Sequence, residues 1–319
     1  MADEARSEAG PGSDPRVLAI VVAFFPDPVK FVPLVESLCR QSSGVIVIDN
    51  TPGDSPVSGL IERSGLANVD LHAFGDNLGI AVGLNEGIRQ AVARGATHVL
   101  LSDQDSLPSE GMVRGLLWAM ELTEAEGIRV AAVGPTFTDG NTGIMFPFQA
   151  KVPGKFFYGH VVATQERPVV EALTLITSGK LVSVEALRDV GLMREDLFID
   201  KVDIEWCLRA RARGWRVFGT SLARMNHTMG DSDLDVWYFG WRKETNYSPL
   251  RVYYQVRNYV ALCREKGIEF RWKIRNGWYT FGVVYSQVFF GKYGSKALRM
   301  ALRGLWDGLR NRMGRYEPA

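Results

Sequence analysis

Cysteine is scarce and scattered: Cys39, Cys207 and Cys263 are the only three in 319 residues. They show no C-x-x-C spacing and no even framework, which excludes a disulfide scaffold and a cysteine zinc site and suits a reducing compartment. Long apolar runs are also missing. No stretch reaches the roughly 18 to 20 apolar residues of a spanning helix, and the uncharged stretch Gly277 to Phe290 has 14. Neither sign of charge is in excess. Lys and Arg number 37 against 36 Asp and Glu, for a formal net charge of +1, which argues against nucleic acid as a partner. The opening MADEARSEAGPGSDP lacks the basic start and apolar stretch of a secretory signal, so 1–15 reads as a disordered tail and the chain as cytoplasmic. Two phosphate-binding patterns, G-x-G-x-x-G and G-x-x-x-x-G-K-[ST], are absent, and Ser178-Gly179-Lys180 is too short to replace either.

Apolar patterning, by contrast, is clear in the first third. Val17 to Phe25 is a continuous apolar run, the mark of a buried parallel strand. Pro26-Asp27-Pro28 ends it, and Phe31, Leu34, Val35 and Leu38 follow at helical spacing. Val45 to Ile48 is a second strand ending in Asp49-Asn50; Leu84 to Val92 reads as a helix with Gly95 beyond it; Val99 to Leu101 leads into Ser102-Asp103-Gln104-Asp105. Alternating strand and helix predicts right-handed crossovers and an open, mostly parallel sheet flanked by helices, an α/β fold. Ligands of such sheets sit beyond the carboxyl ends of the strands, where Asp49 and the Asp103/Asp105 pair fall together. Further on, Val182 to Val190 and Ile204 to Arg213 read as helices and Val217 to Gly219 as a short strand.

Three stretches carry chemistry. Two aspartates one residue apart on a strand-ending turn can share a hard cation, Mg²⁺ or Mn²⁺, with substrate phosphates. Asp-x-Asp alone is a common turn sequence that also caps helices; its place after an apolar strand is what favours the metal. The segment Asn77-Leu78-Gly79-Ile80-Ala81-Val82-Gly83-Leu84-Asn85-Glu86-Gly87 allows a ligand close to the backbone at a helix start, or simply close packing of that helix on the sheet. In Phe198 to Arg211 the acids Asp200, Asp203 and Glu205 either complement a helix dipole or include a general base for a hydroxyl nucleophile, and spacing alone does not separate these.

Taken in order, VVAFFPD, VIDNTP, DNLGIAVGLNEGI, LLSDQDS, FIDKVDIEWCLRARARGW, and MNHTMGD followed by YYQVRN resemble a family 2 glycosyltransferase of the GT-A fold, in its bacterial rhamnosyltransferase branch, over about Val17 to Arg257. That branch includes enzymes of O-antigen assembly and rhamnolipid synthesis. The resemblance implies a Rossmann-like domain over 16–263; from about Arg264 aromatics such as Trp272, Trp278 and Tyr279 mix with Lys and Arg, and 264–319 reads as a helical amphipathic extension. It implies that Asp49, Asn77 and Gly79 bind the nucleoside, that Asp103 approaches ribose or phosphate, and that Asp105 holds the metal with His227 completing the site. Asp203 would be the base, although Val202 stands where the family has Glu, which keeps Asp200 as a rival. Glu205 would either support the site from behind or meet the acceptor, Ser178 and Gly179 would shape the sugar and acceptor pocket, and Arg257 would anchor the diphosphate. The donor so implied is dTDP-L-rhamnose and the acceptor a saccharide or lipid-linked saccharide.

Near the end, Leu298, Ala301, Leu302, Leu305, Trp306 and Leu309 recur at helical spacing, with Lys296, Arg299, Arg303, Arg310 and Arg312 on or near the other face. This pattern suits peripheral contact with the anionic cytoplasmic face of the inner membrane, and equally a helix packed on the domain with a solvated basic face. Two other classes compete for the whole chain: a metal-dependent nucleotidyltransferase, whose basic loop after the first strand is missing here, and a non-enzymatic sugar- or nucleotide-binding module, which has no need of the acids around Asp203.

Overall fold

The computed structural model describes residues 14–139, 145–227 and 233–318. All but residues 14 and 15 of the tail expected over 1–15 lie outside them. The first half runs β1 (Val17–Ala23), α1 (Pro28–Gln41), β2 (Gly44–Asp49), α2 (Val57–Ser64), β3 (Val69–Ala73), α3 (Ile80–Ala93) and β4 (His98–Ser102). It continues with β5 (Leu107–Pro108), α4 (Met112–Glu124), β6 (Val130–Asp139), β7 (Phe148–Ala150), β8 (Gly159–Val161), β9 (Val169–Ala172), β10 (Lys180–Ser183) and α5 (Val184–Val190). A 3-10 turn (Glu195–Leu197) leads to α6 (Val202–Ala212), β11 (Arg216–His227), β12 (Asp233–Trp237) and β13 (Trp241–Thr245), and the helices α7 (Pro249–Arg264), α8 (Phe270–Phe289) and α9 (Gly294–Leu309) complete the fold.

The central sheet has the order β3-β2-β1-β4-β10-β6-β11-β5, with β9 also on β11. Strands β3, β2, β1 and β4 are mutually parallel, and so are β6 and β11, while β10 runs antiparallel between the two groups. Every residue of β1 is buried, and its side chains alternate between two cores. Leu18, Ile20 and Val22 face α3 with Leu84 and Ile88; Val17, Ala19 and Val21 face α1 and α4 with Phe31, Leu34, Val35, Leu38 and Leu116. At roughly 1.5–3 kcal/mol for each large aliphatic side chain removed from water, these two layers dominate the stability of the fold.

Local chemistry explains the element ends. Asp27 caps α1 by accepting from Val29 N at 3.0 Å, with Pro28 at the first helical position. The glycines of the 77–87 segment divide into two jobs. A Cβ at Gly83 or Gly87 would lie 2.9 or 2.4 Å from Val22 or Ile20, so these two let α3 lie close on β1. Gly79, at φ +90°, is a different case, taken up with the site.

Three expectations are corrected. The strand that opens at Val17 stops at Ala23, leaving Phe24 and Phe25 exposed. Val182 and Ser183 belong to β10 rather than to a helix: strand and helix are spliced without a loop, Ser183 serving as the cap of α5, so no turn residue marks the change of period. The short strand at Val217 to Gly219 is the beginning of the twelve-residue β11.

The carboxyl-terminal helices pack in an uncommon way. α9 meets α7 through Ala297, Ala301, Gly304 and Gly308, all buried, and a Cβ on Gly304 would fall 2.5 Å from Tyr253 O. The larger side chains Leu298, Leu302, Leu305, Trp306 and Leu309 are 42–58% exposed, so the apolar stripe of this helix faces outward. Among the described residues no helix is long and apolar enough to cross a membrane.

Candidate active site

One cavity of roughly 1460 Å³ opens at the carboxyl ends of β1, β2 and β4 and is closed on its far side by α7 and α8. Asn77, Gly79, Asp103, Asp105, Asp200 and Asp203 all line it. Six of the residues singled out in the sequence therefore converge, though they span 127 positions along the chain.

The strand-end turns are braced before any ligand enters. Asn77 Oδ1 accepts from Asn50 Nδ2 at 3.1 Å and from Gly79 N at 3.0 Å, and Leu78 N donates to Asn50 Oδ1 at 2.8 Å. Asp49 lies beneath this mesh, 2% exposed, with Oδ1 accepting from Thr51 N at 3.0 Å; Asn50, not Asp49, lines the cavity. Asp103 accepts a short hydrogen bond from Ser178 Oγ. Gln104 pairs with the backbone of Phe24 in both directions, 2.6 and 3.0 Å, and so fixes the end of β1 to the acidic turn. Asp105 is exposed, its Oδ1 touched only loosely by Ser106 Oγ at 3.5 Å.

Those differences assign the acids unlike tasks. Asp103 is held in place, whereas Asp105 offers a carboxylate to the cavity. Among the described residues no group of three or more His, Cys, Asp or Glu comes together to hold a metal. A single exposed carboxylate suits an ion that takes its remaining oxygens from phosphates and water, the habit of Mg²⁺ and Mn²⁺ at phosphate sites. The side chain of His227, the other expected ligand, lies outside the described residues.

The turn before α6 is under strain. Phe198, Asp200 and Lys201 all have φ near +60°, a region that costs a non-glycine residue on the order of 1–3 kcal/mol. Gly79 packs against it so tightly that a Cβ would sit 2.7 Å from Phe198, and Ile80 N donates to Phe198 O at 2.8 Å. From below, Asn258 Nδ2 donates to the carbonyls of Leu197, Ile199 and Asp200 at 2.8–3.0 Å. Arg257 donates to Asp196 O, Leu197 O and Gly314 O at 2.6–3.2 Å and to Asn258 Oδ1 at 3.0 Å.

This geometry corrects the role implied for Arg257. Its guanidinium is fully buried and committed to carbonyls, and it does not line the cavity. The arginine that does is Arg251, six residues earlier and about 240° round the helix. Arg251 grips both oxygens of Asp200, Nε to Oδ2 at 2.8 Å and Nη2 to Oδ1 at 2.6 Å. Asp200 is thus engaged through both carboxylate oxygens. Asp203 Oδ1 accepts only a backbone bond from Ile204 N at 2.8 Å. Burial pushes the Asp203 carboxyl above the usual carboxylate range, against the opposing pull of the Lys180 ammonium. Lys180 itself is buried at the first position of β10, and its Nζ has no hydrogen-bond partner. In the cavity wall, burial lowers Lys201 to about 8, while Asp200 and Asp203 pull the other way; its Nζ donates to Asn276 Oδ1 at 2.9 Å.

Three more expected residues stand off the cavity. Glu205 is buried in an ion pair with Arg209 at 2.8 Å on the opposite side of α6, so acceptor contact through it is corrected as well. Ser178 supports Asp103 from behind, and Gly179, at φ +69°, lets the chain turn under Pro135 into β10. Ile176 and Thr177 face the cavity instead. The α8 aromatics Trp272, Trp278 and Tyr279 line the cavity too, and Arg251, Gln255, Arg275 and Asn276 beside them on the lining were not singled out in the sequence. Their helical spacing is the one signal that could have found them, since 272, 275, 276 and 279 share a helix face.

No protein-family model matches the chain. It is 28% identical over 300 residues to a dTDP-rhamnosyl transferase of Shigella flexneri, covering 93% of this chain and 97% of that protein. To a galactofuranosyltransferase of Mycobacterium tuberculosis it is 27% identical over 310 residues, covering 94% and 96%. Among solved structures, GalNAc-T7 with UDP, GalNAc and Mn²⁺ superposes with a TM-score of 0.58 at 12% identity, covering 92% of this chain; the chain spans 56% of that larger protein. The fold is GT-A, and the resemblance to family 2 glycosyltransferases of the rhamnosyl branch stands.

Proposed function

Since the chain is a glycosyltransferase of the GT-A fold, we propose that it moves L-rhamnose from dTDP-L-rhamnose to a hydroxyl of a saccharide or lipid-linked saccharide, with inversion at the anomeric carbon. The observation that carries the reading is the single cavity in which Asn77, Gly79, Asp103 and Asp105 face Asp203. Asn77 and Gly79 receive the nucleoside, and Asp103, steadied by Ser178, meets the ribose or phosphate. Asp105 would hold Mg²⁺ or Mn²⁺, which when bound would supply positive charge to offset that of the departing diphosphate. Asp203 takes the proton of the acceptor hydroxyl as its oxygen bonds to the anomeric carbon. The bond from that carbon to phosphate breaks in the same step, and its electron pair leaves with the diphosphate. Arg251, held by Asp200, keeps a positive charge in the cavity wall.

Rhamnose rests on the Shigella relative, and the galactofuranosyltransferase of similar coverage favours a second donor class. Calorimetry with dTDP-rhamnose, UDP-galactofuranose, UDP-glucose and GDP-mannose, each with and without Mn²⁺, separates them. Metal-dependent binding of the dTDP sugar alone is the expected result. Preference for the galactofuranose donor keeps the mechanism and replaces the sugar, while no binding of any of the four sinks the reading.

Peripheral contact with an anionic membrane belongs to the same proposal. Its support is the outward apolar stripe of α9 flanked by exposed Lys296, Arg299, Arg310 and Arg312, together with the exposed Trp237, Phe239 and Trp241 of the β12–β13 hairpin. The intact protein is expected to sediment with phosphatidylglycerol vesicles, and a Leu302→Glu/Leu305→Glu variant, altered only at exposed positions, to stay in the supernatant. Equal recovery of both would dispose of the idea.

A further inference from the structure

The acidic turns account for one end of the cavity and leave the other without a ligand. That second wall belongs to α7 and α8. Arg251 and Gln255, four residues apart, share one face of α7; Trp272, Arg275, Asn276 and Tyr279 share one face of α8, with Trp278 at its edge. Two details point to an occupant. Gln255 is 6% exposed, and its Oε1 has no hydrogen-bond partner. Buried amide oxygens are seldom left bare, because nothing replaces the water they have lost. Trp278, in contrast, is 72% exposed, a flat apolar surface lining the same cavity as those amide and guanidinium groups.

The size of the cavity agrees. At roughly 1460 Å³ it exceeds the usual range for one ligand, about 300–1000 Å³, so a nucleotide sugar leaves room for a second molecule. Flat aromatic surface and a bare acceptor lining one cavity are the chemistry that receives a sugar ring. Its C–H face lies on the indole and its hydroxyls find the amides.

We propose that the α7–α8 wall is the acceptor subsite and takes a pyranoside, one hydroxyl donating to Gln255 Oε1 and the ring resting on Trp278. This rests on the glycosyltransferase reading and adds to it where the acceptor binds and what class it is. The wall and Asp203 open on the same cavity, so an acceptor seated there can bring a second hydroxyl to the base.

The test uses the full-length protein and two variants. Gln255→Met keeps length and removes the acceptor atom; Trp278→Ala changes an exposed residue and leaves the core alone. Transfer to a panel of p-nitrophenyl glycosides is followed with the donor that calorimetry selects, and donor affinity is measured on the same preparations. The KM for the glycoside is expected to rise about tenfold in each variant, as for loss of one well-placed contact, with donor affinity within about twofold of the parent. Weakened donor binding would give the wall to the donor and overturn the proposal, as would an unchanged glycoside KM. If the parent binds donor but accepts no glycoside, the acceptor is not a pyranoside. Failure to bind any donor would instead strike the glycosyltransferase reading itself.

Discussion

Asp203→Asn lowers turnover by on the order of 10²- to 10⁴-fold, the usual worth of a positioned base, while donor affinity stays close to that of the parent. The amide has the same shape and can still accept from Ile204 N, so the fold is not at stake. The pH dependence gives a second readout. As the proposed base Asp203 would work only when ionised, and burial raises its carboxyl above the usual range, so activity is expected to fall as pH drops through that raised value. Stability runs the other way. A raised folded-state pKa favours the protonated group, so this carboxyl contributes most to stability at low pH and loses that contribution as pH climbs through the raised value. Removing the opposing cation with Lys180→Met pushes the carboxyl further up and moves the acid limb of the rate profile to higher pH. Asp200→Asn is the control. If it, rather than Asp203→Asn, abolished turnover while sparing donor binding, the roles of the two aspartates would be exchanged.

Asp105→Ala removes the metal dependence of donor binding. Affinity for the donor in Mn²⁺ drops by about 100-fold, the scale of losing support at a metal site, to the value found without metal, and turnover falls with it. Asp105 is exposed and makes one loose contact, so its replacement costs the fold little. The result that would sink the assignment is equally plain: a parent protein whose donor affinity is the same with Mn²⁺ and with a chelator.

The legible part of this molecule was the part built from the commonest physics. Buried parallel strands are continuous apolar runs, so β1, β2 and β4 could be read directly, and with them the place where Asp103 and Asp105 emerge. Strand β3 escaped because its residues are half-exposed at the sheet edge, and β10 because it passes into α5 without a turn. Among site residues the strand-end set was legible, while the helical wall was not. Arg251 and Gln255 look like any polar residues on an amphipathic helix until α8 is laid against them. Arg257 shows the opposite hazard: an arginine beside an active site suggests an anion, yet this one answers backbone carbonyls.

That arginine has a consequence for genetics. Arg257 and Asn258 sit outside the cavity, and together they hold down the turn whose three left-handed residues deliver Asp203. Substitutions at either should misplace the base and silence the enzyme as surely as a change in the base itself. A screen for inactive alleles would therefore return Arg257, Asn258 and Asp203 as equals, and the allele list alone would not tell the residue that moves a proton from the two that keep it in position.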